Sequence, residues 1–314
     1  MSKPVTRGDV EAAAKKIADR VRDTPILSAE TELFGFENVA CKLELLQHTG
    51  SFKPRGALHR ALTSDIPSSG LIAASGGNHG LAVAWVARLL GVPGEIFVPE
   101  VSPPAKIDKI RKLGATVHVT GALYDDALAA CRAQQERTGA LDIHAYDHPV
   151  TIAGAGTIAL EIERDFPDVD TVLVALGGGG LASGIAAWFT GTETSVVVVE
   201  PETSNCFAAA GNAGEPVDVT VTGVAADSLG AKRIGTHNWN ALVAANASSI
   251  TVTDEAITDA QGRFWSSLQL IVEPGGATAA AALWSGAYEP SPGERVAVIV
   301  CGANCDPASI PTGG

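Results

Sequence analysis

The chain is poor in positive charge. In 314 residues, 22 Lys and Arg stand against 35 Asp and Glu, for a net charge of −13. That balance excludes nucleic acid and anionic membrane as general partners, because both recruit proteins through clustered cations. Small anions stay open, since backbone amides at a helix start can hold them without side-chain charge. Long apolar runs are missing as well. No stretch reaches the ~18 apolar residues of a membrane-crossing helix, so no membrane span is expected. The N-terminal segment MSKPVTRGDVEAAAKKIADR carries charge throughout, unlike a secretory leader. Cysteine is scarce, odd in number and scattered: Cys41, Cys131, Cys206, Cys301 and Cys305. This excludes a disulfide framework and reads as reduced thiols in a cytoplasmic protein. Cys301 and Cys305 have no second pair nearby, so structural zinc is not expected.

What is present is a chain 46% hydrophobic, the content of a packed globular protein of one large or two medium domains. A helix is predicted over about Arg7 to Arg22, where Val10, Ala13, Ala14, Ile17 and Val21 recur at helical spacing. TPIL then turns the chain, and NVACKLEL reads as a strand. Strand and helix alternate from there. GLIAAS, GEIFVPE, ATVHVT, DTVLVALGGGG, SVVVVEP and RVAVIVCGAN read as strands. HGLAVAWVARLLG, PPAKIDKIRKLG, YDDALAACRAQQERTG and ASGIAAWFTG read as helices, and VTIAGAGTIALEIERDF as a helix beginning after its glycines. The alternation predicts an α/β fold with mainly parallel sheets covered by helices on both faces, in two doubly wound units. The stretch from about Asn205 to Thr251 gives the weakest pattern.

Two strand-to-helix turns are rich in glycine: AASGGNHGLA at 73–82 and ALGGGGLASG at 175–184. Glycines there let a ligand approach the backbone, while unpaired amides and the helix dipole face an anion. Ligands sit at such carboxyl ends of parallel strands, so two turns suggest two anionic groups. The second turn has two readings. Gly177-x-Gly179-x-x-Ala182, with Glu200 following Gly177 by 23 residues, matches a dinucleotide fingerprint. Four consecutive glycines also suit a single phosphate monoester. Taken singly, Lys53 reads as a surface lysine, Phe52 as core, Asn78 as a turn former and Cys301 as an inert buried thiol.

Their order is more specific. SFKPRGA at 51–57, SGGNHG about 25 residues on, then GGGGL, EPGGA and CGAN keep one sequence of motifs over nearly the whole chain. This resembles the fold-type II pyridoxal-phosphate enzymes (tryptophan synthase beta-like), and within them the serine/threonine dehydratase and serine racemase branch. The resemblance implies pyridoxal 5'-phosphate as cofactor and displaces the nicotinamide reading. It also implies a homodimer. Residues 1–48 plus 147–314 are expected to form a large cofactor-binding domain, and 49–146 a small domain carrying Lys53 and the asparagine loop.

By the same resemblance, Lys53 binds the cofactor aldehyde, an assignment that needs an amine able to shed its proton. Phe52 packs beside the cofactor and Asn78 bonds its phenolic oxygen. Gly177, Gly178, Gly179, Gly180 and Leu181 hold the phosphate, and Glu273 lies near the ring. Ser75, Gly76, Asn78 and His79 clamp the substrate carboxylate. Cys301 stands against the pyridine nitrogen, where a thiol of pKa ~8.5 is a poor acid. Loss of a β-leaving group is then favoured over transamination.

Departures from the pattern sharpen the expectation. The racemase's opposite-face serine is Gly76 here, so a dehydratase is expected, releasing a 2-oxo acid and ammonia from a β-hydroxy-α-amino acid. The divalent-cation set of some relatives is met by Glu200 and Ser204 but broken by Cys206, so no metal is expected. Tyr146 and the segment AADSLGAKRIG fall near the substrate side chain, which leaves room for a substrate bulkier than L-serine or L-threonine. The alternatives are a serine racemase, a β-replacement synthase, or a non-catalytic pyridoxal-phosphate carrier or sensor.

Overall fold

The computed structural model describes residues 4–311. Ten strands form: β1 (Ile26–Ser28), β2 (Val39–Lys42), β3 (Leu71–Ala74), β4 (Gly94–Val98), β5 (Thr116–Val119), β6 (Leu141–Asp142), β7 (Thr171–Ala175), β8 (Ser195–Pro201), β9 (Ser248–Val252) and β10 (Val296–Ile299). They build two sheets, ordered β1-β2-β10-β7-β8-β9 and β5-β4-β3-β6. Every pairing is parallel except β1 with β2. The central strands are buried on both faces, which is why they read as unbroken apolar runs such as TVLVA. The fold is the α/β class expected from the alternation.

Helices cover both faces of the larger sheet. Pro149–Asp165 and Gly180–Phe189 bury Ile158, Ile162, Ile185 and Trp188 on one side. Asp254–Leu268 and Pro274–Trp284 bury Phe264 and Leu283 on the other. The smaller sheet packs Leu71, Ala73, Ile96 and Val98 against Leu58 and Val83 of the helices Lys53–Leu62 and Asn78–Leu90.

Two expectations about helices need correction. The first helix ends at Ile17, because Gln47 clamps the following backbone: its Nε2 donates to Arg22 O at 2.8 Å and its Oε1 accepts from Arg22 N at 2.9 Å. The helix of VTIAGAGTIALEIERDF starts at Pro149, so its glycines are internal. They are there for close approach. A Cβ on Gly154 would stand 2.7 Å from the Arg55 carbonyl oxygen, and one on Gly156 would stand 2.6 Å from that of Gly184. Burying two backbones at such range offsets the cost of glycine in a helix, roughly 0.5–1 kcal/mol each.

A closed set of charges lies under these helices. Arg55 bonds Glu44 (Nη2–Oε1 2.7 Å) and Glu161 (Nη1–Oε1 2.6 Å). Lys42 Nζ bonds Glu161 Oε2 at 2.5 Å and donates to Thr24 O at 2.6 Å. All four charged residues are buried, and two positive charges meet two negative ones. This network ties the N-terminal segment, β2 and two helices together beneath Lys53.

Candidate active site

Lys53 opens the helix Lys53–Leu62, with Pro54 in its first turn, where a missing amide hydrogen costs nothing. The preceding residues are stitched to the end of β10: Ser51 bridges Gly302, and Phe52 N donates to Cys301 O at 3.2 Å. This brings Cys301 next to the lysine. Lys53 Nζ donates to the Ala145 carbonyl at 2.9 Å and sits 4.9 Å from the Phe52 ring centre. It makes no ion pair among the described residues. Burial lowers its pKa to about 8, with Cys301 and Glu273 pulling the other way.

The first glycine turn joins β3 to the helix Asn78–Leu90. Asn78 Nδ2 donates to Glu273 Oε1 at 2.6 Å, and its Oδ1 accepts from Asn304 Nδ2 at 2.7 Å. Ser75 Oγ accepts from Gly77 N at 3.2 Å. The His79 imidazole turns away from the turn, with Nε2 2.5 Å from the Ile143 carbonyl. Burial, helped by Lys53, pushes it down to about 3, so the ring is neutral and Nε2 carries the proton. Gly76 faces another loop: a Cβ there would meet Ser102 Oγ at 2.5 Å.

The second turn joins β7 to the helix Gly180–Phe189, with Gly179 at φ 101°, a conformation that favours glycine. The amides of Gly177, Gly178 and Gly179 donate to no other group among the described residues. The Tyr146 ring lies on this backbone, 2.5 Å from where a Cβ on Gly178 would stand. Asn238 Nδ2 ties the two together, donating to Gly178 O at 2.8 Å and Tyr146 O at 3.3 Å. One small cavity of about 50 Å³ is lined by Phe52, Lys53, Asn78, Tyr146, Gly177–Gly180, Leu181, Glu273 and Cys301. Residues up to 249 positions apart in sequence, Phe52 and Cys301, therefore share one space.

Residues 17–302 match the family model described as pyridoxal-phosphate dependent enzyme. The chain belongs to that family. It is 37% identical to the L-threonine ammonia-lyase of Geobacter sulfurreducens, over 96% of this chain and 76% of that protein. The structure of maize serine racemase superposes with a TM-score of 0.92 at 30% identity, covering 98% of this chain and 96% of that one. The processed form of threonine deaminase isoform 2 from Solanum lycopersicum gives a TM-score of 0.89 at 28% identity, covering 98% of this chain and 88% of that one.

The residues present fit pyridoxal phosphate. Three turn amides lacking partners suit a phosphate dianion, and an amine kept out of ion pairs suits an aldehyde. Glu273 is almost fully buried, and burial pushes its carboxyl up to about 7, partly opposed by the Asn78 bond. Burial also raises the Cys301 thiol, which donates to Gly275 O at 3.4 Å. Glu200 is used structurally. It accepts from the amides of Phe207 (2.8 Å) and Ala208 (2.9 Å), capping the helix Cys206–Ala213, and burial pushes it up to about 7. Ser204 donates to Leu229 O, and Cys206 Sγ to Gly177 O. Among the described residues no group of three or more His, Cys, Asp or Glu could hold a metal ion.

Sequence reasoning overlooked several neighbours. Ser228, Leu229 and Gly275 line the cavity, with Ser228 Oγ accepting from Gly275 N at 3.0 Å. Asn304 orients Asn78, and Asp147 accepts from the amides of Thr236 and His237 at 3.0 and 2.9 Å. The unusual AADSLG segment was the only signal for Ser228. Ser75, Gly76 and His79 do not line the cavity with their side chains; they flank it from the first turn.

Proposed function

We propose that this pyridoxal-phosphate enzyme is a dehydratase converting a β-hydroxy-α-amino acid, such as L-serine, L-threonine or a bulkier analogue, to a 2-oxo acid and ammonia. One observation carries the reading. Of the titratable groups lining the cavity, Tyr146 is pushed up to about 12, Cys301 is raised by burial, and Glu273 is bound to Asn78. Lys53 alone combines a lowered pKa with freedom from ion pairs. A single base favours elimination over inversion. The names of relatives that are ammonia-lyases and deaminases point the same way.

When bound, pyridoxal phosphate supplies the electron sink that makes the substrate α-hydrogen acidic. Lys53 would anchor it and would take the α-proton on Nζ as general base. The amides of Gly177–Gly180 and Leu181 would hold the phosphate. Phe52, Asn78, Glu273 and Cys301, which line the same cavity, would flank the ring, Cys301 with a weak S–H donor and no charge. The first turn, Ser75 to His79, receives the substrate carboxylate at the start of its helix, and Tyr146 borders the side chain. The β-hydroxyl leaves with a proton as water, and one water returns as ammonia is released, so atoms balance.

Racemisation has one observation in its favour. The Ser102 hydroxyl stands beside Gly76, so the turn is not without a hydroxyl. Ammonia and 2-oxo acid from L-serine and L-threonine, measured against D-serine formation, separate the two. Ammonia lost in Lys53→Ala and kept in Ser102→Ala supports the dehydratase. D-serine as main product, abolished in Ser102→Ala, replaces it with a racemase.

The proposed division into 49–146 and 1–48 plus 147–314 draws support from the two sheets, the smaller lying wholly between β3 and β6. A cytoplasmic homodimer is proposed from the five free cysteines and the family resemblance. No helix among the described residues is long and apolar enough to cross a membrane.

A further inference from the structure

On the far side of the segment 141–148 from Lys53 lies an open cleft of about 430 Å³, much larger than the active-site cavity. Its polar lining is Arg60, Asp65, Gln135, Asp142, His144 and His148. Arg60, His144 and the neighbouring Arg132 lie near enough to Asp142 to favour its charged form, but none of them closes an ion pair with it among the described residues. Arg60 donates through Nη1 to Ser64 Oγ, but its Nε is buried with no hydrogen-bond partner. Asp65 and Asp142 form no ion pair among the described residues. His144 Nδ1 accepts from the amides of Tyr146 (3.2 Å) and Asp147 (2.9 Å), and His148 Nδ1 from Val150 N (3.2 Å). Each ring therefore keeps its proton on Nε2 as a donor.

This lining selects a ligand by charge. A simple anion would meet two carboxylates, and a simple cation would meet the Arg60 guanidinium. A small molecule with one carboxylate and one ammonium satisfies both ends.

The segment behind the cleft also holds the active site. Asp142, His144 and His148 line the cleft. The carbonyls between them face the other way, Ile143 O toward His79 and Ala145 O toward Lys53 Nζ at 2.9 Å. We propose that the cleft binds a free α-amino acid, its carboxylate on Arg60 and its ammonium between Asp65 and Asp142, and that occupancy acts on Lys53 through the Ala145 carbonyl. The binding stands apart from the proposed reaction; only its effect on turnover rests on that reading.

The test uses holoenzyme whose cofactor has been fixed to Lys53 with borohydride, so that amino acids cannot attach at the active site. L-Valine, which has no β-leaving group, is titrated by calorimetry up to ~10 mM, enough to fill about nine-tenths of a millimolar site. One site per chain is expected. Binding should be at least about tenfold weaker in Arg60→Gln and in the exposed variant Asp65→Asn, and for N-acetyl-L-valine and L-valinamide. No binding by the unmodified sequence, equal binding of N-acetyl-L-valine, or affinity unchanged in both variants overturns the site. For the coupling, L-valine should shift the pH profile of kcat/KM in the unreduced enzyme but not in Asp65→Asn. A shift of the same size in both would place the effect in the active site and overturn the coupling.

Discussion

Lys53 and Arg55 stand two residues apart on one helix, and the fold treats their charges in opposite ways. Arg55 is enclosed with Glu44 and Glu161; burial works against its charge, yet the two carboxylates more than offset this and raise its pKa. Lys53 is given a carbonyl instead of a carboxylate, and burial lowers it to about 8. One cation is locked in place as structure. The other is left able to lose its proton. Burial alone does not decide the state of a charged group; the partner it is buried with does.

Four changes break or sharpen that contrast. The largest effect is expected from Lys53→Arg, which keeps the charge but cannot release the proton. Turnover should fall at least about 10³-fold, the general-base contribution compounded by loss of the covalent anchor. Ammonia release measures it, with circular dichroism confirming an unchanged fold; activity within tenfold would contradict the role. Next comes Arg55→Met, which strands Glu44 and Glu161 without their shared partner. A loss of about 3–5 kcal/mol is expected in urea unfolding, partly recovered when Glu44→Gln is added. A loss below ~1 kcal/mol would mean that the network is not holding the helix.

A smaller effect concerns pH. Only the unprotonated amine attacks an aldehyde, so cofactor uptake by the apoenzyme should rise about tenfold between pH 7 and 9 and then level off. The plateau follows from the lowered pKa of about 8. If Lys53 were held charged as Arg55 is, uptake would keep climbing past pH 10. The smallest effect belongs to an exposed pair, Lys232 with Asp125, each 67% exposed. Lys232→Ala should cost less than ~1 kcal/mol, and salt should erase the difference.

Much of the scaffold is legible because buried parallel strands write themselves as runs such as SVVVVEP, each followed by a glycine turn or a helix pattern. The residues named for the site are legible as motifs, and most of them line one cavity. Other parts give no readable pattern. β6 is two residues long, and β1 is three residues that pair antiparallel where the sequence suggests a turn. β9 carries exposed serines at its start, so its edge position hides its period. Glycine signals a break, so Gly154 and Gly156 read as preceding a helix; the backbones they admit come from residues 55 and 184. Asn238 has no motif around it, and Ser228 and Asn304 sit in AADSLG and CGAN without a readable role; only the packing of the chain shows what they touch.

The sequence by itself determined the order of the main buried strands and helices, the two glycine turns and the presence of a lysine flanked by an aromatic and a proline, because these follow from local periodicity and backbone freedom. The tertiary structure decided which charges meet. Glu161 lies 106 residues from Arg55, and Ala145 lies 92 residues from Lys53. Whether a cation is paired or left to titrate depends on such distant neighbours and on the water that packing removes, and neither is written in the residues beside it.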